Sequence, residues 1–127
     1  MVELVIHLVF HFYILSIMTF LSDTVSVFDI GSLIMTSTVF GATCEHQPFG
    51  TFIRSCIARH QSGDWGDCCP DDAALNDAAL LYADLLDGGR IFAVYAIPDG
   101  LYTLERKIWI ITEASRAYNT ILFPSEC

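Results

Sequence analysis

Cations are what this chain has least of. Six Lys and Arg stand against fifteen Asp and Glu in 127 residues, a net charge of −9, and the first of the six is Arg54. A protein that grips duplex DNA neutralises roughly 6–10 phosphates with Lys or Arg. Every cation here would have to converge to reach that, so nucleic acid is not an expected partner. Paired Cys-x-x-Cys knuckles are missing too. The five cysteines, Cys44, Cys56, Cys68, Cys69 and Cys127, are odd in number and follow no convincing export signal, which points to reduced thiols in a cytoplasmic protein. A zinc reading drawing on Cys44, His46, Cys56, His60, Cys68 and Cys69 would take two of its ligands from an apolar helical stripe, so no metal is expected. Absent as well is a glycine-rich loop opening a βαβ unit, which leaves no place for a dinucleotide or methyl-donor cofactor. No internal repeat or low-complexity linker divides the chain, and its length suits one domain that buries a core without staples.

Apolar residues make up 54% of the sequence, above the globular norm, and the excess lies in the first 21 positions. The run that opens at Leu4 and closes at Leu21 is broken only by His7, His11, Ser16 and Thr19. As a helix it would span about 27 Å against a hydrocarbon core of roughly 30 Å. An export signal is disfavoured by Glu3 and by the lack of a small-x-small cleavage site. A stable span is disfavoured by the lack of flanking Lys or Arg. Three readings stay open: an upstream tail on a chain that begins biologically at Met18, a membrane anchor, or a buried helix. Membrane contact is expected only through this segment, and residues 1–24 are set apart from a single domain over 25–127.

Within that domain, residues 25–35 read as a strand bent or bulged at Gly31. Thr36 or Ser37 is placed to cap a short helical turn running toward Cys44. Phe49, Phe52, Ile53, Cys56, Ile57 and His60 recur at i, i+3, i+4, i+7, i+8 and i+11, which predicts a helix over 48–59 with Pro48 in its first turn. A second helix is predicted over 70–87, with Leu75, Ala78, Tyr82, Leu85 and Leu86 inward and Asp72, Asn76, Asp77 and Asp84 outward. Gly88-Gly89 ends it. The continuous apolar run 91–97 reads as a central strand. Residues 107–113 alternate as a half-buried strand, and 120–123 form the last. The expected fold is α+β: two packed helices against an antiparallel meander of about three strands, preceded by an N-terminal strand and an apolar tail.

Between the two helices lies His60-Gln61-Ser62-Gly63-Asp64-Trp65-Gly66-Asp67. Its two glycines can take backbone angles that other residues avoid. An imidazole, two carboxylates and an indole in eight residues suit a site in which Asp64 or Asp67 orients His60 as a general base, with Glu113 as a further carboxylate. They suit equally a helix-to-helix corner in which Trp65 fills the core, His60 ends the apolar stripe, and Asp67 caps the next helix ahead of Asp71 and Asp72.

Arg59-His60 with Gly63-Asp64-Trp65-Gly66-Asp67, then Asp72 and Asn76, then Ile108-Trp109-Ile110-Ile111-Thr112-Glu113-Ala114 and Thr120-Ile121-Leu122-Phe123-Pro124-Ser125-Glu126 form a specific pattern. It resembles a family of small bacterial proteins carried on plasmids, phages and integrated elements, labelled "plasmid-related protein" or "type I restriction endonuclease subunit M". The likeness covers about residues 28–127. It implies an accessory protein of a mobile element and assigns no catalytic residue or cofactor. Members begin near Phe28-Asp29-Ile30-Gly31, so residues 1–17 fall outside it. Cys127 stands where a final aromatic is the rule, and Cys44, Cys56, Cys68 and Cys69 are not part of the pattern. The restriction label fails physically, since the βαβ cofactor domain of a methyltransferase has no room here.

Seven Asp and no Lys or Arg lie between Asp64 and Asp87. Two functions follow as expectations. One is a non-enzymatic interaction module that presents Asp72, Asp77 and Asp84, with Trp65 beside them, to a basic protein partner. The other is a small hydrolase-like enzyme built on His60, Asp64, Asp67 and Glu113.

Overall fold

The computed structural model describes residues 26–81 and 89–127. The first strand, β1 (Ser32–Met35), leads into helices α1 (Ser37–Glu45), α2 (Gln47–Gln61) and α3 (Pro70–Leu81). Strands β2 (Ile91–Ala96), β3 (Lys107–Thr112) and β4 (Tyr118–Leu122) follow, and a 3-10 turn at Pro124–Glu126 closes the chain. The apolar run 4–21 lies outside the described residues, as do Tyr82, Asp84, Leu85, Leu86 and the start of the Gly88-Gly89 cap. No helix among the described residues is long and apolar enough to cross a membrane.

An α+β fold results, in which β2, β3 and β4 form the expected antiparallel meander. The N-terminal strand joins it as a fourth member, parallel to β4, giving the order β1-β4-β3-β2. That strand is shorter than 25–35, because pairing begins only at Ser32. Gly31 just before it lies against the Ala117 carbonyl, where a Cβ would collide with backbone, so this glycine permits a close approach rather than a bulge. Thr36 accepts from the Val39 N–H at 3.3 Å and so caps α1, which runs for nine residues.

One face of the sheet carries Leu33, Met35, Ile91, Ala93, Tyr95, Ile108, Ile110, Ile121 and Phe123, all buried with Val39, Phe49, Ile53, Cys56 and Ile57 of α1 and α2. The stripe predicted from Phe49 to His60 is the stripe that α2 buries. Helix α3 departs from expectation. Leu75, assigned inward, is 66% exposed, and Asn76, assigned outward, is 2% exposed. The helix turns Ala73, Asn76, Ala79 and Leu80 to the protein, about one position away from the stripe of leucines.

A second correction concerns β2. Its unbroken apolar run suggests a central strand, yet it sits at the sheet edge. The edge is closed by other means. Asn76 donates to the Phe92 carbonyl at 2.7 Å and accepts from the Phe92 N–H at 2.9 Å. The Val94 N–H reaches the Trp65 carbonyl at 3.3 Å, and the Asp67 N–H donates to the Val94 carbonyl at 2.6 Å. The Asp67 carboxylate takes the Ala96 N–H at 2.9 Å. The outward backbone groups of Phe92 and Val94 and the Ala96 N–H are thereby satisfied, which is why β2 tolerates an edge position.

Candidate functional site

The turn after α2 is built by two left-handed glycines, Gly63 at φ 83° and Gly66 at φ 69°. Gly66 forms a parallel bridge to Val94, so close that a Cβ would run into the Val94 carbonyl and the Tyr95 ring. The backbone bend between the glycines drives Trp65 inward to 6% exposure. Its indole N–H donates to the Asp77 carboxylate at 2.8 Å, which ties the turn to α3. Asp77 is thus not simply a solvated outward charge.

His60 is 1% exposed and meets the edges of two rings, Phe28 at 5.6 Å and Trp65 at 5.5 Å between centroids. Its Nε2 lies 2.7 Å from the Thr112 hydroxyl, which donates onward to Asn119 Oδ1 at 2.6 Å. Since the hydroxyl proton is directed at Asn119, Thr112 accepts from an Nε2–H, and that assigns the tautomer. Asn119 in turn donates to the Ser32 carbonyl at 3.4 Å, so the chain of bonds crosses from α2 through β3 and β4 to β1. Nδ1 is buried without a partner. Burial lowers the imidazole from its ordinary 6.5 to about 4, which keeps the ring neutral.

The carboxylates expected to orient this ring are committed elsewhere. Asp64 faces Arg59, with Nε at 2.7 Å and Nη2 at 3.3 Å, and also accepts the Gly66 N–H at 3.0 Å. The Arg59 hydrogen bond holds its carboxyl below the usual range, burial opposing. The same guanidinium lies 5.0 Å over the Tyr95 ring, whose hydroxyl donates to the Asp64 carbonyl at 2.8 Å. Asp67, expected as the cap of α3, instead takes the Ala96 N–H, and the helix begins three residues later at Pro70. Glu113 sits one residue past β3, where it faces Arg90 at 3.7 Å.

The structure therefore brings His60 and Trp65 together, and Trp65 with Asp77, but places neither Asp64, Asp67 nor Glu113 on the imidazole. Asp72 is half-buried at the start of α3, and Asp84 lies outside the described residues. His60's partners, Thr112 and Asn119, are not among the residues that sequence spacing singled out. One signal was available: Thr112 continues the buried alternation of Ile108 and Ile110, and a hydroxyl on a core face calls for a polar partner. Among the described residues no three His, Cys, Asp or Glu side chains are grouped to hold a metal ion. Burial pushes the Cys56 thiol up to about 12, which leaves it protonated and inert.

No protein-family model matches the chain, and comparisons with curated proteins and with solved structures return no match.

Proposed function

We propose that this chain is a non-enzymatic interaction module that uses the outer surface of α3 to bind a basic amphipathic segment of another protein. The observation that carries the reading is the exposed apolar stripe of that helix. Asp71, Ala74, Leu75, Ala78 and Leu81 follow helical spacing along one side, and Leu75 and Leu81 are 66% and 74% exposed. An apolar stripe beside Asp71 and Asp72 matches a partner helix whose own apolar stripe is flanked by Lys or Arg. Acidic crowding adds speed and salt dependence to the encounter, since fields of this kind are screened within about 8 Å at physiological ionic strength.

The turn supports the same reading from the other side. Its polar side chains are engaged in holding β2, α2 and α3 together, and its imidazole is buried, neutral and bonded to a threonine. Resemblance to the plasmid- and phage-borne family supports a place among accessory proteins of mobile elements, acting in the cytoplasm with reduced thiols.

The test is a pull-down from a bacterial lysate at low and high salt. Wild type is compared with the triple variant Asp71→Asn, Asp72→Asn, Leu75→Ser and with a folded His60→Ala variant. Loss of a salt-sensitive partner in the triple variant alone supports the module. Retention of every partner there, with loss in His60→Ala, would move the function to the turn.

A further inference from the structure

Among the described residues, the one buried side-chain nitrogen or oxygen left without a partner is Nδ1 of His60, on a ring that is 1% exposed. Three side chains wall this ring in. Thr112, with Asn119 behind it, belongs to the paired strands β3 and β4. Trp65 belongs to a turn fixed by the Asp64 N–H on the Arg59 carbonyl at 2.9 Å, by main-chain bonds to both polar groups of Val94, and by its own indole on Asp77. Phe28 is held differently. It stands on residues 26–30, ahead of the first bond to the sheet, which runs from the Ser32 N–H to the Ala117 carbonyl at 3.0 Å. The main-chain hold on 26–30 among the described residues is the Val27 N–H on the Gln61 carbonyl at 3.0 Å. Gln61 also donates from Nε2 to the Ser26 hydroxyl at 3.0 Å, and that hydroxyl donates to the Phe28 carbonyl at 2.7 Å. Val27 and Asp29 are exposed, while Phe28 and Ile30 pack against the core.

We propose that residues 26–30 are a strap over His60 that acid opens: a proton taken up at Nδ1 displaces Phe28 from the imidazole and releases the strap, while the helices and the sheet stay folded. The closed site serves a neutral ring only. Thr112 accepts from Nε2–H, but an imidazolium carries a second N–H, and the site offers Nδ1 no acceptor. Water is the acceptor that remains, and it enters most readily where the fewest bonds must open. That place is the strap, because the other two walls are held by ladder and turn bonds.

Charged groups around the ring do not take over this role. On α2, Arg59 is paired with Asp64 of the turn, and Cys56 one helical turn back stays protonated. On α3, Asp77 is engaged by Trp65; on β3, Glu113 follows Thr112 and faces Arg90; on β4, Asn119 stands between Tyr118 and Thr120; on the strap, Asp29 is exposed. Burial is what lowers the closed imidazole from 6.5 to about 4. With the strap open the ring meets water and returns toward 6.5, so the open form binds more protons between those values. Falling pH therefore favours opening, on the order of a hundredfold between pH 7 and pH 4. Trp65 loses Phe28 as a neighbour but keeps Asp77, so α3 stays in place.

Amide hydrogen exchange of the full chain tests this, read residue by residue from pH 7 to pH 4 and corrected for each amide's intrinsic rate. The Val27 N–H reports the strap, and the amides between β3 and β4 report the fold. Protection of Val27 should fall on the order of a hundredfold over that range, ahead of the β3–β4 amides. In His60→Gln it should no longer depend on pH. A Val27 amide already unprotected at pH 7, a wild-type profile flat to pH 4, a loss that runs in step with β3 and β4, or the same loss in His60→Gln each overturns the proposal. Should His60→Gln fail to fold, Phe28→Ala carries the control through the His60 ring resonances. Removing that wall should raise the pH at which the ring titrates by about one unit or more toward 6.5, and an unchanged titration overturns the strap as the cover. None of the substituted residues lies on α3, so the outcome is independent of that helix as a partner surface.

Discussion

Trp65 shows how much one side chain can organise when glycines on either side let the backbone bend around it. Its ring packs against those of His60 and Phe28, which also meet each other, and its N–H is satisfied by Asp77. Trp65→Ala is expected to lower stability by about 3–5 kcal/mol in chemical denaturation; an unchanged midpoint would mean that the ring contributes no packing. His60 gives a pH signature. Its proton is bound near pH 6.5 when unfolded but only near about 4 when folded, so the unfolded state binds more protons between those values. Stability is full above pH 6.5 and falls as pH drops toward 4, by about 3 kcal/mol in all. Asp64, held below its ordinary 3.8 by Arg59, adds a loss that begins only below that range. A folded His60→Gln variant should lack the upper phase and keep the lower one; a wild-type profile flat from pH 7 to 4 would refute the buried neutral ring. The buried tryptophan and the core histidine were legible in the sequence, from glycine flanks and from the end of an apolar stripe. The partners were not singled out, because Thr112 and Asn119 lie 52 and 7 residues further along the bond chain, and the hydroxyl of Thr112 in a buried alternation signals a polar partner without saying which.

Among the elements, α2 was readable because a six-member apolar stripe leaves one solution, and β3 because its alternation is strict. The orientation of α3 and the position of β2 were misread for one shared reason. Pattern reading treats Asn as outward and an unbroken apolar run as central, whereas here a buried amide serves as the missing neighbour of an edge strand. Asn76 matches both the N–H and the C=O of Phe92, so its polarity is satisfied inside. Asn76→Leu, which would look better on a helical wheel, should instead cost about 1–3 kcal/mol by stranding those two groups. Hydrogen exchange gives the sharper readout: the Phe92 amide should exchange faster in the variant while amides between β3 and β4 do not change. Equal protection of Phe92 in both chains would show that another group closes the edge. Gly66→Ala attacks the same device, since both the positive φ and the approach to Val94 forbid a Cβ. It should cost at least about 1–3 kcal/mol and expose the Val94 and Ala96 amides together.

At the scale of the whole molecule, the α+β class was legible because each segment's periodicity agreed with a layer of helices on a sheet. The side of the sheet that the helices cover was not legible, because β2 and β3 carry apolar residues on both faces. Among the described residues, four strands, three helices and a shared core cluster already make a helix-covered sheet. Folding should therefore not depend on residues 1–17, and a chain starting at Met18 should unfold at the same denaturant concentration as the full sequence. Removing that segment also removes Glu3 as its single charged side chain, so the net charge and the acidic α3 are almost unchanged and solubility should not fall. A lowered midpoint, or aggregation of the short chain where the long one stays dispersed, would assign residues 1–17 to the core.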